Sequence, residues 1–256
     1  MIRFDDVHKR WSPGGPWVVS GLDLQVEDGE WLALIGASGS GKTTSLKMIN
    51  RLVEPTRGRI FVGGRDVATI PPEELRRGIG YVLQAIGLFP HWTVAENVGA
   101  VPRLLGWDPE RIAQRVELLL EAVKLSPGRY RDRWPHELSG GQRQRVGVAR
   151  ALAAEARMLL MDEPFGALDP VTRHHLQGEV RELHESLGLT TVMVTHDMAE
   201  ALALADRIAV LEAGRLVRVG TPRQLLADPG VSCVADLLEA PRRSARLLER
   251  LEEARP

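Results

Sequence analysis

The run Gly36-Ala37-Ser38-Gly39-Ser40-Gly41-Lys42-Thr43 fills every fixed position of the glycine-rich phosphate-binding pattern, and it lies between a strand-like run, Trp31 to Ile35, and a helix-like one. The glycines let successive backbone N–H groups turn inward around phosphate oxygens, while the helix starting after Gly41 presents its positive dipole end. Lys42 is then placed for the β- and γ-phosphates, Thr43 for Mg2+, and Thr44 for the same triphosphate. A second station is Asp162-Glu163, at the end of the apolar run Met158 to Met161. Ligands of an open α/β sheet bind at the carboxyl ends of its strands. Asp162 is expected in the Mg2+ shell, and Glu163, one residue on, is expected to orient the attacking water and take its proton. Paired acids can also merely end a strand at the surface; behind a phosphate loop the chemical reading is the better one.

Leu138-Ser139-Gly140-Gly141-Gln142 forms a third station. Ser139 with Gln142 three residues later is a capping box for a helix running to about Ala154. That box has no need of Gly140 and Gly141, which inside a helix cost about 1 kcal/mol each relative to alanine. Two glycines at a helix start suit a backbone that an anion must approach closely, so this end reads as a second phosphate-binding surface.

Elements able to hold these stations are legible around them. Leu22, Leu24 and Val26 alternate with polar residues, and Arg59 to Val62 leads into the turn Gly63-Gly64, which gives a β-rich start. From Thr93 to about Ala154 the pattern is helical, with Thr93 and Glu96 as a capping box, Asp108-Pro109 as N-cap and first helical position, and Ile112, Val116, Leu119, Leu120 and Val123 on one stripe. Strands over Met158–Met161, Thr190–Val194 and Ile208–Leu211 then alternate with helices over Pro170–Leu187 and Met198–Ala205, the signature of a parallel sheet. Residues 231–252 read as one or two amphipathic helices. Arg242, Arg243, Arg246 and Arg250 there have acidic neighbours Glu239, Glu249, Glu252 and Glu253, the pattern of a solvated face.

With 256 residues, 44% of them apolar, the chain can bury the core of one large domain, with or without a subdomain. A net charge of -1 gives no basic excess for nucleic acid, and Cys233, the single cysteine, excludes an intrachain disulfide. The start Met1 to Arg10 is too charged for a signal peptide, and no apolar run approaches the roughly 20 residues that cross a bilayer, so a cytosolic chain whose membrane role comes through a partner is expected.

Taken together the chain resembles the nucleotide-binding subunits of ATP-binding cassette (ABC) transporters, over roughly residues 1–220. Leu138 to Gln142 matches that family's signature motif. Gln84, after the strand Ile79 to Leu83, matches the Q-loop, Ala167-Leu168-Asp169 the D-loop, and His196, after Thr190 to Val194, the switch histidine. Trp11 stands where the family carries an aromatic residue that stacks on adenine. Each match has a plainer reading: Asp169-Pro170 is also a helix start, Asp197 with Glu200 a further capping box, His196 one of seven histidines, and Trp11 a packing residue.

The resemblance implies an ABC ATPase fold: a P-loop NTPase α/β core with a mixed, mostly parallel sheet, an N-terminal antiparallel β subdomain and a helical subdomain inserted at about 87–155, followed by a short helical extension over 221–256. It also implies ATP and Mg2+ as ligands, with Gln84 joining Thr43 and Asp162 at the metal. Two copies face head to tail, so that ATP lies between one chain's P-loop and the other's Ser139 to Gly141. The implied partners are a membrane permease and, through it, an extracytoplasmic substrate-binding protein, with the chain at the cytoplasmic face of the membrane. Ile86-Gly87-Leu88-Phe89-Pro90-His91, Val101-Pro102 and Leu105-Gly106-Trp107 resemble the importers of glycine betaine, choline or carnitine; the same segment also reads as an apolar loop and a helix interrupted at Pro102. The 36 residues after Gly220 are too few for the paired regulatory domains of many such subunits, so sensing through those domains is not expected. The rivals are an importer ATPase for another solute such as an amino acid, a soluble ABC ATPase of translation or DNA repair, and a P-loop kinase or GTPase, which gives no reason for Ser139 to Gln142.

Overall fold

Two sheets and two apolar cores meet along one fully buried strand. The computed structural model describes residues 1–253; the side chains of Glu249, Arg250, Glu252 and Glu253 lie outside the described residues. The first sheet is antiparallel, ordered β2-β1-β4-β5, with β1 Ile2–Lys9, β2 Val19–Val26, β4 Arg57–Val62 and β5 Arg65–Asp66. The second runs β10-β9-β3-β8-β7-β6, with β3 Trp31–Ile35, β6 Ile79–Val82, β7 Met158–Asp162, β8 Thr190–Val194, β9 Arg207–Glu212 and β10 Arg215–Gly220. All its pairings are parallel except that of β10 with β9.

β3 shows why the sheet is continuous with both cores. Its five residues are all apolar and fully buried, the pattern of a strand covered on both faces. Leu32 and Leu34 pack with Ile2, Val26, Leu46 and Ile49, while Trp31, Ala33 and Ile35 face the helical side with Val146, Leu176 and Ala201. Removing Trp31, in the middle of that second cluster, would cost about 3–5 kcal/mol.

The helices follow their caps. α1 is Lys42–Ile49 and α2 Pro72–Arg77. Between β6 and β7 the chain is helical, with α3 Val94–Val98, α4 Ala100–Leu104, α5 Pro109–Ala122, α6 Pro127–Tyr130 and α7 Gly140–Leu152. Thr93 with Glu96 and Ser139 with Gln142 both form complete capping boxes, and Asp108 caps α5. The break sits at Gly99 rather than Pro102: proline occupies the first turn of α4, where its missing N–H has no partner to lose. After β7 come α8 Pro170–Leu187, α9 Met198–Leu204, α10 Pro222–Ala227 and α11 Ser232–Glu253. The tail is a single helix with Pro241 inside it, seated by the fully buried Val234 and Leu238. Asp197 forms only half a capping box: it accepts from Ala199 and Glu200 N–H, but its own N–H donates to Thr195 Oγ1. Glu200 turns inward instead, accepting from Gln177 Nε2.

Candidate functional site

The loop between β3 and α1 has a backbone that only glycine fits at its two ends. Gly36 has φ +151°, and a Cβ there would meet the Leu211 carbonyl oxygen at 2.1 Å; at Gly41, φ +96°, it would meet the Val18 carbonyl oxygen at 2.6 Å. Because Gly41 is in the left-handed region and has no side chain, α1 starts with no side-chain cap, and its first turn, Lys42 to Thr44, carries no acid. Its first N–H groups and the positive end of its dipole are therefore available to an anion. Lys42, only 7% exposed, donates from Nζ to the carbonyls of Gly36 (2.8 Å) and Ala37 (2.9 Å). Burial lowers its pKa, and Glu163 and Asp162 oppose that, so charge at Lys42 is sustained by the two acids across the cleft.

Those acids end β7. Asp162 is buried and accepts from Thr43 Oγ1 at 2.8 Å, which joins two hard oxygen donors from the loop helix and the neighbouring strand. Mg2+ is usually held by one or two carboxylates with substrate phosphates and water. This pair fits that pattern, and among the described residues no group of three or more His, Cys, Asp or Glu offers an all-protein cage.

Glu163 follows with φ +45°, unusual for a residue with a side chain. Its N–H donates to the Val194 carbonyl, which pins the turn to β8, and the left-handed backbone swings the carboxylate out of the strand line. There Glu163 Oε2 accepts from Gln84 Nε2 at 3.2 Å and lies 3.4 Å from His196 Nδ1. The ends of β6, β7 and β8 thus deliver Gln84, Glu163 and His196 to one place.

A cleft of about 390 Å3 collects Ser38, Gly39, Gly41, Lys42, Thr43 and Thr44 on one side and Glu163 and His196 on the other, with Val18 beside the loop. Ser40 is buried beneath it. Trp11 does not line this cleft; it is 65% exposed, with Lys9 Nζ 4.9 Å from its ring centre. Leu138 to Gln142 do not line it either. Leu138 and Gly141 are buried, Gly140 and Gln142 are half-buried, and Ser139 is exposed. In the run expected as the D-loop, Ala167 is exposed, Leu168 buried, and Asp169 caps α8 by accepting from Thr172 N–H.

Gly141 has a reason that sequence reasoning missed: a Cβ there would meet Thr172 Cγ2 at 2.3 Å, so this glycine lets α7 pack on the first turn of α8. At Gly140 the nearest atom, Leu168 Cδ2, is at an ordinary 3.9 Å. Of the two, only Gly140 is left free for the approach of an anion. Arg150 is a second residue that sequence reasoning missed. It donates to the carbonyls of Ile86 and Gly87, both at 2.7 Å, and so ties α7 to the turn after Gln84. Beside that turn runs a groove of about 370 Å3, between Gln84–Leu88 and Pro135, Arg143 and Ala167. Only strand-end polar residues carry a local sequence signal; an arginine in a helix does not.

A family model described as ABC transporter matches residues 19–166. The whole chain is 51% identical to the glycine betaine/carnitine/choline transport ATP-binding protein OpuCA of Bacillus subtilis (strain 168), of which it spans 65%. Over 97% of its length it is 48% identical to the glycine betaine uptake system ATP-binding protein YehX of Escherichia coli (strain K12), of which it spans 80%. The chain thus spans 62–65% of the length of the first curated relatives it matches. Among solved structures it resembles a dimeric post-hydrolysis state of the ATP-binding cassette MJ0796 bound to ADP and Pi, at TM-score 0.77 and 33% identity, over 87% of this chain and 99% of that one.

Proposed function

The chain belongs to the ABC transporter family, and from that premise we propose that it is the ATP-hydrolysing subunit of an importer for a quaternary-amine osmoprotectant such as glycine betaine, choline or carnitine. The observation that carries the hydrolytic part is the convergence on Glu163: one carboxylate, aimed by a left-handed residue, touched by Gln84 and His196 and set across the cleft from Lys42. Backbone N–H groups of the P-loop and Lys42 hold the triphosphate, while Thr43 and Asp162, joined by Gln84, hold Mg2+, which neutralises phosphate charge when bound. Glu163 orients the attacking water and takes its proton. His196, 65% exposed beside it, reports the γ-phosphate to the rest of the chain.

The start of α7 serves a second copy. The exposed Ser139, the half-buried Gly140 with open space before it, and the absence of these residues from the chain's own cleft support a head-to-tail pair in which each ATP is shared between one P-loop and the other chain's Ser139 to Gly141. Among the described residues no helix is long and apolar enough to cross a membrane. The proposed place of work, by the relatives named above, is the cytoplasmic face, where a helix of the permease docks in the groove beside Gln84. The substrate-binding protein is reached only through that permease. The choice of cargo rests on the relatives named above and on the segment Ile86 to His91.

Replacing Glu163 by Gln tests the mechanism. ATP binding is retained, turnover falls by roughly 100-fold or more, the loss of a general base, and size-exclusion chromatography with ATP and Mg2+ shows a closed dimer. A strictly monomeric Glu163→Gln protein under those conditions sinks the composite-site reading. ATPase of the chain with its permease, measured against a panel of quaternary amines, tests the cargo; no stimulation by any of them removes it.

A further inference from the structure

The first turn of α8 touches three segments of the proposed composite sites: the signature helix, the D-loop and the residue after the switch histidine. Thr172 is the residue against which Gly141 of the signature helix packs. Arg173, the next residue, donates from Nη2 to the carbonyl oxygen of Leu168 in the D-loop at 3.0 Å. Its Nη1 lies 3.9 Å from Asp197 Oδ2, in the residue following the switch histidine. One guanidinium therefore spans a loop that senses the chain's own nucleotide and a loop that the head-to-tail pairing presents to the other copy.

The third nitrogen points the same way. Arg173 Nε is buried and has no hydrogen-bond partner among the described residues. Arg173 lines a small polar cavity of about 50 Å3 together with Glu163, Thr195, His196, Asp197 and Glu200. A polar space of that size, with a donor and several carboxylates around it, accommodates an ordered water. A lysine could keep the charge at this place, but a single ammonium on a flexible stem cannot present a rigid fork to two loops at once.

We propose that Arg173 is a positioning residue that couples the two composite sites, by tying the switch-histidine loop of one nucleotide to the D-loop and signature surface offered to the other. A shift of His196 towards or away from the γ-phosphate moves Asp197, and through Arg173 it moves the Leu168 carbonyl and the turn on which Gly141 rests. Arg173 touches neither nucleotide itself. The proposal rests on the ATPase reading given above.

Mixed dimers separate coupling from stability. Full-length chains carrying two different tags are co-expressed, and dimers with one intact and one Glu163→Gln subunit are isolated and their ATPase is compared with that of dimers with two intact subunits. With Arg173 in place, the blocked site holds back the intact one, and the mixed dimer runs well below half the rate of the intact dimer. In an Arg173→Lys background the ratio rises to half, whatever the absolute rate, because each site then fires alone. A purely structural arginine lowers both rates and leaves the ratio unchanged. An equal ratio in the two backgrounds, at half or below it, overturns the proposal. Arg173→Met is the harsher variant, and the lysine variant decides if methionine prevents folding. Absence of any ATPase in the intact dimer overturns the underlying reading itself, which distinguishes that failure from this one.

Discussion

The chain has two helix starts suited to phosphate, and they are built in opposite ways. α1 begins at a left-handed glycine with no side-chain cap, so its donors are unspent, and a buried lysine and two acids stand around it. α7 begins with a complete capping box, in which Ser139 and Gln142 already satisfy each other's backbone N–H groups. No acid lies in the first turn of either helix. The first start has the parts to hold a phosphate by itself. The second has two of its first N–H groups already spent on its own box, which leaves those of Gly140 and Gly141 for an anion that another molecule presents. Under the proposed function, such a difference makes nucleotide affinity a property of one chain and closure a property of two.

The largest effect that could break this contrast is at Lys42. Replacing it by Met removes a charged hydrogen-bond donor, worth about 1.5–3 kcal/mol. Nucleotide affinity of the single chain, measured by titration calorimetry, should fall by roughly 10–150-fold. An unchanged affinity would place the binding determinants elsewhere. Next comes Gly141→Ala: the added methyl enters Thr172 and should destabilise the fold by about 1–3 kcal/mol, the usual cost of overpacking. Gly140→Ala, with open space before it, should leave the melting temperature unchanged or higher. Equal destabilisation by both would mean that the start of α7 is packed throughout and cannot admit a phosphate.

Sequence speaks most clearly where the cause is local. The capping boxes at Thr93 and Ser139 and the buried run Trp31 to Ile35 depend on neighbours a few residues away, and all stand as expected. β1 escapes such reading because its alternation breaks at Asp6, a residue with φ +45° at a shift in register between Phe4 and Val7. β10 escapes because it is an edge strand, half-exposed along most of its length. The half-formed box at Asp197 shows the limit from the other side: the spacing is right, but Thr195 and Gln177 compete for its two halves. Arg150 reaches Ile86 and Gly87, and Arg173 reaches Asp197 as well as the nearby Leu168, so no short window contains all their partners.

Ser139→Ala should cost about 0.5–2 kcal/mol of stability through the lost cap. If the two helix starts differ as described, it leaves the affinity of the single chain for ATP unchanged while weakening the dimer seen by size-exclusion. A fall in single-chain affinity would show that the two starts act on the same nucleotide. The smallest effect concerns pH. Glu200 is buried beside the switch loop, and burial holds its carboxyl above the ordinary 4.5. Between that value and the raised one, the folded chain keeps a proton that the unfolded chain has lost, so this group makes stability fall as pH rises. Glu200→Gln should therefore melt higher than the parent at neutral pH, with the gap closing at acid pH. Ser139→Ala should leave the slope as it is, since no titratable group is altered there; a gap that persists in acid removes Glu200 as its source.

Glu163 sits in a backbone region that a glycine would occupy without strain and that a side chain occupies at a penalty of order 1–3 kcal/mol. Here, as at the six other non-glycine residues with positive φ among those described, the backbone is strained. Selection for thermal endurance alone would drift towards glycine here and lose the carboxylate proposed as the base, whereas selection for the proposed work keeps the strain in place. A thermostabilised descendant of this protein is therefore best judged first by whether it has kept the acid at the end of β7.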